Sequence, residues 1–321
     1  MKNKAIVTAL TVNAIIAAMK FAVALFSGSA AMFSEGIHSA ADTMNQIVLL
    51  VGKRKAVAPP TAKHPFGYTR ATFFASFCVA TLLFFIGGAF SLMEAVEKIS
   101  HVVGGTGEWV TDRNGFFLAA GILVVSVVLE VISLRTALAE VREEQERAGV
   151  RTGIREFYRD TSNSSLIVVV TEDFAAVVGL ALALAGVVLT LVTGNPLWDA
   201  IGGAAIGVLL IAAAFILGRE IASLILGEAL PPGKIKEIEA IALGAPGVAR
   251  CGSIKTMAQG NDTVLVEIDV YFRAGGALSG ADVLDQVADI KRQVKALLQE
   301  EGLYVSACIE ALRAEEAEAR L

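Results

Sequence analysis

Two pairs of ionisable residues interrupt long apolar stretches of this sequence. His38 and Asp42 are four residues apart, so on a helix they lie on one face, one turn from each other. Glu172 and Asp173 are adjacent within residues 166–191, which hold no other charged residue. One imidazole with two or three carboxylates is a ligand set that zinc prefers, and manganese, iron(II) and cobalt also accept it. The residue types therefore indicate a site for a divalent transition metal.

Each of these residues also has an alternative role. A His38–Asp42 hydrogen bond inside a helix bundle would explain the first pair without a metal. Adjacent helical residues point about 100° apart, so the second pair cannot face one neighbouring helix squarely. We take Asp173 as the ligand, whereas Glu172 either joins it, accepts a proton or orients His38.

Two further side chains are accessory candidates. Asn45 follows Asp42 by about one helical turn and offers a carbonyl oxygen, although a hydrogen bond between helices is its favoured role. His64 lies in a polar loop, where a solvated histidine is the simpler interpretation. Both are therefore kept as accessory ligands only.

The elements that position these residues must suit a bilayer. Hydrophobic residues make up 55% of the 321-residue chain and charged residues 18%, whereas about a quarter of the residues in soluble domains are charged. A helix crosses a bilayer with about 20 apolar residues. Six stretches meet this requirement, and we predict transmembrane helices at residues 5–27, 30–52, 72–99, 115–138, 164–192 and 197–218.

The two ionisable pairs fall at similar depths in these helices. At about 1.5 Å per residue, His38 and Asp42 lie roughly 10–17 Å from the outer boundary and Asp173 about 14 Å from the inner one. The hydrocarbon core is about 30 Å thick, so these depths coincide. Lys20 and Glu130 also interrupt apolar helices, and for both we favour a structural role such as pairing or snorkelling. Glu35 is expected to be solvated near the outer face.

Basic residues set the predicted orientation. By the positive-inside rule, loops rich in Lys and Arg face the cytoplasm, whereas the loop after the third helix has only Lys98 and Arg113 near it. We therefore expect a multi-pass protein, of a bacterial inner membrane, with both termini cytoplasmic. The basic residues of the two inner loops are Lys53, Arg54, Lys55, Lys63 and Arg70 in the first, and Arg142, Arg147, Arg151, Arg155 and Arg159 in the second.

The rest of the chain has the pattern of a small α+β domain. Its periodicity predicts helices at residues 232–243 and 280–301 and strands at 248–256, 263–272 and 304–312. This αββαβ order suits a small sheet with helices on one face. The predicted domains are thus a six-helix membrane domain at 1–220, a cytoplasmic α+β domain at 221–313 and a polar tail at 314–321.

Three segments resemble the cation diffusion facilitator family of proton-coupled metal exporters. Residues 34–43 (SEGIHSAADT) are similar to the family's metal motif in helix two, residues 64–68 (HPFGY) to the segment before helix three, and residues 194–199 (GNPLWD) to the start of helix six. The resemblance implies six helices with a cytoplasmic ferredoxin-like domain, a homodimer, and a tetrahedral site between helices two and five.

Helix five departs from the usual family pattern. Many members carry His-x-x-x-Asp there, whereas this chain has Asp173 at the His position and Val177 four residues on. Residues 171–176 (TEDFAA) instead resemble a zinc-transporter-like branch in which Glu-Asp replaces that pair. The resemblance thus leaves the fourth ligand, and with it the metal selectivity, open between Glu172 and the other candidates.

The predicted function is efflux of a divalent metal, with zinc favoured, from the cytoplasm in exchange for protons by alternating access. The metal is the substrate, no prosthetic group is expected, and the partners are the bilayer and a second copy of the chain, without nucleic acid. An enzyme is not predicted, since the intramembrane hydrolase alternative lacks an HExxH motif, and no GxxxxGK[ST] motif indicates ATP hydrolysis. A metal-gated channel or a metal sensor is the main alternative.

Overall fold

A computed structural model of the chain describes residues 2–104, 113–147, 153–273, 279–300 and 302–313, with side chains from Asn13 onward in the first helix. The predicted polar tail at 314–321 lies outside the described residues. The elements of the apolar part are α1 Lys2–Ser27, α2 Ala30–Ala56, α3 Ala71–Leu82, a π-helix Leu83–Phe90, α4 Ser91–Gly104, α5 Arg113–Arg147, α6 Ile154–Asp160, α7 Ser164–Thr193 and α8 Leu197–Leu226.

The predicted transmembrane helices correspond to α1, α2, α3 to α4 with the π-helix, α5, α7 and α8. Among the described residues, four stretches are long and apolar enough to cross a membrane by length and composition, namely Ala71–Gly104, Asn114–Arg147, Ser164–Thr193 and Leu197–Leu226. The helix α2 is 27 residues long, but its ionisable residues lower its hydropathy. The chain is therefore a helical membrane protein, as predicted.

Several helices continue past their predicted ends. The helix α5 runs to Arg147 and α8 to Leu226, whereas the predictions stop at residues 138 and 218. Hydropathy marks where the apolar stretch ends, but helical hydrogen bonding continues through polar residues. Gly28 and Gly194 end α1 and α7 in left-handed conformations, with φ of 63° and 69°, which glycine adopts at helix ends without strain.

The third membrane helix differs from the prediction of one uninterrupted α-helix. Its middle eight residues form the π-helix, a form that is rare and mostly found near functional sites. Gly88 in this segment packs closely on α8, since a Cβ there would lie 2.6 Å from Ile211 Cγ1. A Cβ at Gly207 would lie 2.8 Å from the Leu92 backbone nitrogen. Glycines thus allow these two helices to approach each other closely.

The chain divides into two compact units that interleave in sequence. We call them the membrane unit, Met1–Arg54, Phe74–Glu143 and Ser165–Ile221, and the loop-and-sheet unit, Lys55–Phe73, Glu144–Ser164 and Ala222–Leu321. The second unit thus contains two loops between membrane helices as well as the C-terminal region. The domain division at residue 220 stays a prediction.

The sheet of the loop-and-sheet unit has the predicted αββαβ order. Its elements are α9 Pro232–Gly244, β1 Val248–Gly260, β2 Thr263–Phe272, α10 Gly280–Glu300 and β3 Tyr304–Arg313. The strand order is β1-β2-β3, with β1 antiparallel and β3 parallel to β2. Every second residue of β2 is buried and belongs to the same hydrophobic core as one face of α10. The core residues of these two elements are Val264, Val266, Ile268, Val270, Ile290, Val294 and Leu298.

The turn between β1 and β2 binds both loops of its own unit. Thr69 Oγ1 donates to the Gln259 carbonyl oxygen at 2.7 Å. Asn261 Nδ2 donates to Asn163 Oδ1 at 3.1 Å, and Ser164 Oγ donates to Asn261 Oδ1 at 3.0 Å. One hairpin turn therefore connects the loop that precedes α3 with the loop that precedes α7.

Candidate metal centre in the membrane unit

The pair on α2 lies inside the membrane unit. His38 is 2% exposed, and its Nε2 lies 3.6 Å from Asp42 Oδ2, which is too long for a hydrogen bond. Neither ring nitrogen of His38, nor Oδ1 of Asp42, has a hydrogen-bond partner among the described residues. Buried polar atoms without partners are costly. This face of α2 therefore has the free donor atoms that a ligand would satisfy.

The two acidic residues of α7 face different helices. Glu172 is buried and accepts a hydrogen bond from Asn45 Nδ2 of α2 at 2.5 Å. Asp173 is partly buried and accepts a hydrogen bond from Ser133 Oγ of α5 at 2.8 Å. The carboxylate of α7 that contacts α2 is thus Glu172, while Asp173, taken above as the ligand, contacts α5. The assignment of Asp173 as the ligand stays a prediction.

Acidic side chains from three helices share this region. Asp42 interacts electrostatically with Asp173, and Glu172 interacts with Asp42 and with Glu130 of α5. Within the described part of the chain, no three His, Cys, Asp or Glu side chains are close enough together to hold a metal ion. The predicted ligands thus lie in one region without forming a closed coordination shell.

The two accessory candidates lie in different environments. Asn45 is fully buried, and its Oδ1 has no hydrogen-bond partner among the described residues. The hydrogen bond to Glu172 gives it the helix-to-helix role favoured above. His64 is exposed in the loop-and-sheet unit, with its ring centroid 4.5 Å from that of Tyr68. Only Asn45 of the two contacts another predicted site residue.

The expectation for Glu35 was wrong. Glu35 is fully buried instead of solvated, and its Oε2 lies 3.1 Å from Lys20 Nζ. Lys20 is 1% exposed and also donates to Ser39 Oγ at 2.8 Å, so its predicted pairing with a carboxylate is confirmed. The sequence signal for the burial of Glu35 is its spacing three residues before His38, which places both on one face of α2.

A second buried charge pair escaped the sequence reasoning. Lys98 of α4 and Asp199 of α8 are 3% and 0% exposed, with Nζ 2.8 Å from Oδ2. Asp199 Oδ2 also accepts from the Ala30 backbone N–H at 2.6 Å, and its Oδ1 accepts from Ser29 Oγ. The sequence predicts that Lys98 lies next to the loop after the third membrane helix. It instead lies in a network that joins α4, α8 and the turn between α1 and α2.

Comparison with known families gives this arrangement a context. A family model described as the cation efflux transmembrane domain matches residues 6–226. This range is more than half of the chain and includes all of the predicted membrane helices except residue 5. The chain belongs to the cation efflux family. This result confirms the resemblance to cation diffusion facilitators seen in the sequence.

Relatives of this cation efflux protein have names that refer to metals. It is 28% identical over 270 residues to the proton-coupled zinc antiporter SLC30A9, mitochondrial, of Xenopus laevis, covering 84% of this chain and 46% of that protein. It is 32% identical over 219 residues to metal tolerance protein C4 of Arabidopsis thaliana, covering 68% and 46%. It is 24% identical over 299 residues to the manganese efflux system protein MneP of Bacillus subtilis (strain 168), covering 91% of each. The chain spans about half the length of the first two relatives.

Proposed function

We propose that this chain exports a divalent transition metal, zinc first, from the cytoplasm in exchange for protons. The observation that carries the proposal is the buried imidazole of His38, which lies beside Asp42 and whose ring nitrogens make no hydrogen bond to any described residue. Ionisable groups inside membrane helices are expensive, and they mark ion and proton pathways. The printed names of a proton-coupled zinc antiporter and a manganese efflux protein among the relatives support the same class.

The proposed ligands are His38 and Asp42 from α2 with Glu172 and Asp173 from α7. Glu172 contacts α2 through Asn45, whereas Asp173 accepts a hydrogen bond from Ser133 of α5. The described side chains form no closed metal cage, and the proposal includes a movement that brings these side chains together when metal binds. An imidazole with carboxylates favours zinc, and fewer nitrogen ligands would favour manganese.

Proton exchange follows from the same ligands. Imidazole and carboxylates bind metal only when deprotonated, so metal and protons compete for one set of atoms. Metal enters from the cytoplasmic side when the ligands have lost their protons, and protonation on the outer side expels it. Rocking of helices changes which side has access to the site. A homodimer in a bacterial inner membrane, with both termini cytoplasmic, completes the proposal.

Transport into sealed liposomes tests this function. The purified protein is reconstituted with a zinc indicator and a pH indicator inside, and zinc is added outside. We expect zinc to enter while protons leave, and Asp42→Ala and His38→Ala to reduce the zinc flux at least tenfold. The control variant Glu97→Gln, which changes a carboxylate whose side chain is 74% exposed, should transport like wild type.

The rival functions give different results in the same assay. A metal-gated channel would pass zinc downhill without proton movement, and a sensor or an intramembrane hydrolase would pass none. Wild-type zinc flux in Asp42→Ala would show that the site is elsewhere. Glu172→Gln and Asp173→Asn, measured separately, identify which carboxylate of α7 binds the metal.

A further inference from the structure

A buried ion pair lies beside the proposed ligands, and neither of its two residues is a proposed ligand. Lys20 of α1 and Glu35 of α2 are 1% and 0% exposed, and Nζ lies 3.1 Å from Oε2. Close packing of the two helices accompanies the pair, since a Cβ at Gly36 would lie 3.0 Å from Phe21 Cδ1. Both charges are therefore fixed in position in the interior of the membrane unit.

The pair borders the metal site on two sides. Lys20 Nζ also donates to Ser39 Oγ at 2.8 Å, and Ser39 follows His38 directly. Glu35 Oε1 is buried without a hydrogen-bond partner in the described residues. It faces α7, where a Cβ at Gly179 would lie 3.0 Å from it.

Both charges act on the proposed ligands. Lys20 and Glu35 each interact electrostatically with His38 and with Asp42. Charges interact strongly in the low dielectric of an interior, where no bulk water screens them. A bound divalent cation would feel repulsion from the ammonium and attraction to the carboxylate. Removing either charge alone must then change metal affinity, with opposite sign.

Stability alone does not account for the pair. Two buried charges cost desolvation energy, and replacing such a pair with apolar residues is often neutral or stabilising. Without an ammonium beside it, Glu35 would add one more carboxylate to this acidic region, which would then bind a divalent cation more tightly and release it more slowly. The Lys20 ammonium beside Glu35 cancels that contribution.

We propose that Lys20 is a fixed counterion that sets the affinity of the site for its divalent cation, and that Glu35 balances it. This inference rests on the proposed function, because it concerns the metal site of His38 and Asp42. Lys20 touches no proposed ligand directly and acts through its charge. It is thus an affinity-determining residue and not a ligand.

A double-mutant cycle with Lys20→Met, Glu35→Gln and both together tests the inference. Zinc dissociation constants are measured by calorimetry on the purified full chain, and turnover is measured in liposomes. We expect Lys20→Met to bind zinc about tenfold more tightly and to turn over more slowly, and Glu35→Gln to bind about tenfold more weakly. The double variant, which removes both charges, should bind within about threefold of wild type.

The signs of the two shifts decide the result. A pair that merely joins α1 to α2 would make both single variants bind more weakly and melt at lower temperature, and that outcome overturns the inference. Lys20→Arg keeps the charge and should bind zinc like wild type. If Lys20→Met does not fold, the comparison of Glu35→Gln with the double variant decides. Zinc binding that is weaker in Glu35→Gln and returns to the wild-type level in the double variant supports the inference. Zinc binding that stays weak in the double variant overturns it. Absence of zinc binding by wild type would instead contradict the proposed function.

Discussion

Lys98 Nζ lies 2.8 Å from Asp199 Oδ2, and both side chains are buried. The same carboxylate accepts hydrogen bonds from Ser29 and from the Ala30 backbone N–H, and Lys98 also donates to the Gly28 carbonyl oxygen. One carboxylate therefore holds three parts of the membrane unit together, namely α4, the start of α8 and the turn between α1 and α2.

Asp199→Asn should destabilise the membrane unit, because it removes the carboxylate charge that pairs with the buried Lys98 ammonium. Breaking a buried ion pair from one side costs about 3–5 kcal/mol. Thermal unfolding of the purified protein in detergent measures the loss. Glu97→Gln is the control, since the Glu97 and His101 side chains are 74% and 46% exposed and surface pairs contribute about 0–1 kcal/mol. Equal melting temperatures for the two variants would contradict a stabilising role for Asp199.

Gly207→Ala should separate the third membrane helix from α8. The added Cβ would lie 2.8 Å from the Leu92 backbone nitrogen and 2.9 Å from its Cβ, and backbone cannot move aside as a side-chain end can. Overpacking of this kind costs about 1–3 kcal/mol, measured as a lower midpoint in denaturant. Gly121→Ala in α5 meets nothing within 4 Å and should be stabilising by about 0.5–1 kcal/mol. If Gly207→Ala leaves the denaturant midpoint unchanged, the two helices are farther apart than this structure places them.

Asn45→Ala and Ser133→Ala distinguish the two carboxylates of α7. Asn45 holds Glu172 towards α2, and loss of a residue that orients a ligand typically costs 10–100-fold in metal affinity. We therefore expect Asn45→Ala to weaken zinc binding by about that factor. Ser133→Ala frees Asp173 from α5 and should leave zinc binding unchanged or tighter. The reverse pattern would show that Glu172 does not bind the metal.

Cys251 of the loop-and-sheet unit should react slowly with alkylating reagents. Burial, and the negative charges of Glu239 and Asp269, raise the pKa of its thiol to about 11. Only the thiolate reacts, so the alkylation rate should increase about tenfold per pH unit up to about pH 11. Mass spectrometry after iodoacetamide treatment measures the alkylation rate of each cysteine. The exposed Cys308 should be alkylated faster than Cys251. Glu239→Gln should accelerate the reaction at Cys251, and a rate that levels off near pH 9 would contradict the raised pKa.

Periodic patterns predicted the fold well, and single side chains less well. The αββαβ order followed from alternation in β2 and from the apolar stripe of α10, because such patterns depend on local burial. The π-helix has no comparable signature, since its residues are at least as apolar as those of α3 before it.

Residue counting predicts the position of a side chain along a helix but not the neighbour that it faces. The predicted depths of His38 and Asp173 follow from residue counting. Counting does not give the rotation of α7 about its own axis, and in the structure Glu172 is the residue that contacts α2. Glu35 appeared solvated because its position was measured only from the end of its helix. Its partner Lys20 lies on another helix, and no local pattern relates the two.

The hairpin turn of the loop-and-sheet unit also dictates an order of assembly during synthesis. Thr69 and Asn163 belong to loops that leave the ribosome long before Gln259 and Asn261, which bind them. The helices α3 to α8 are translated between Thr69 and Gln259, and α7 and α8 of these are translated after Asn163. The two loops therefore keep these hydrogen-bonding groups in water until residues 259–261 have been made, and this unit is completed only after the membrane helices have been synthesised.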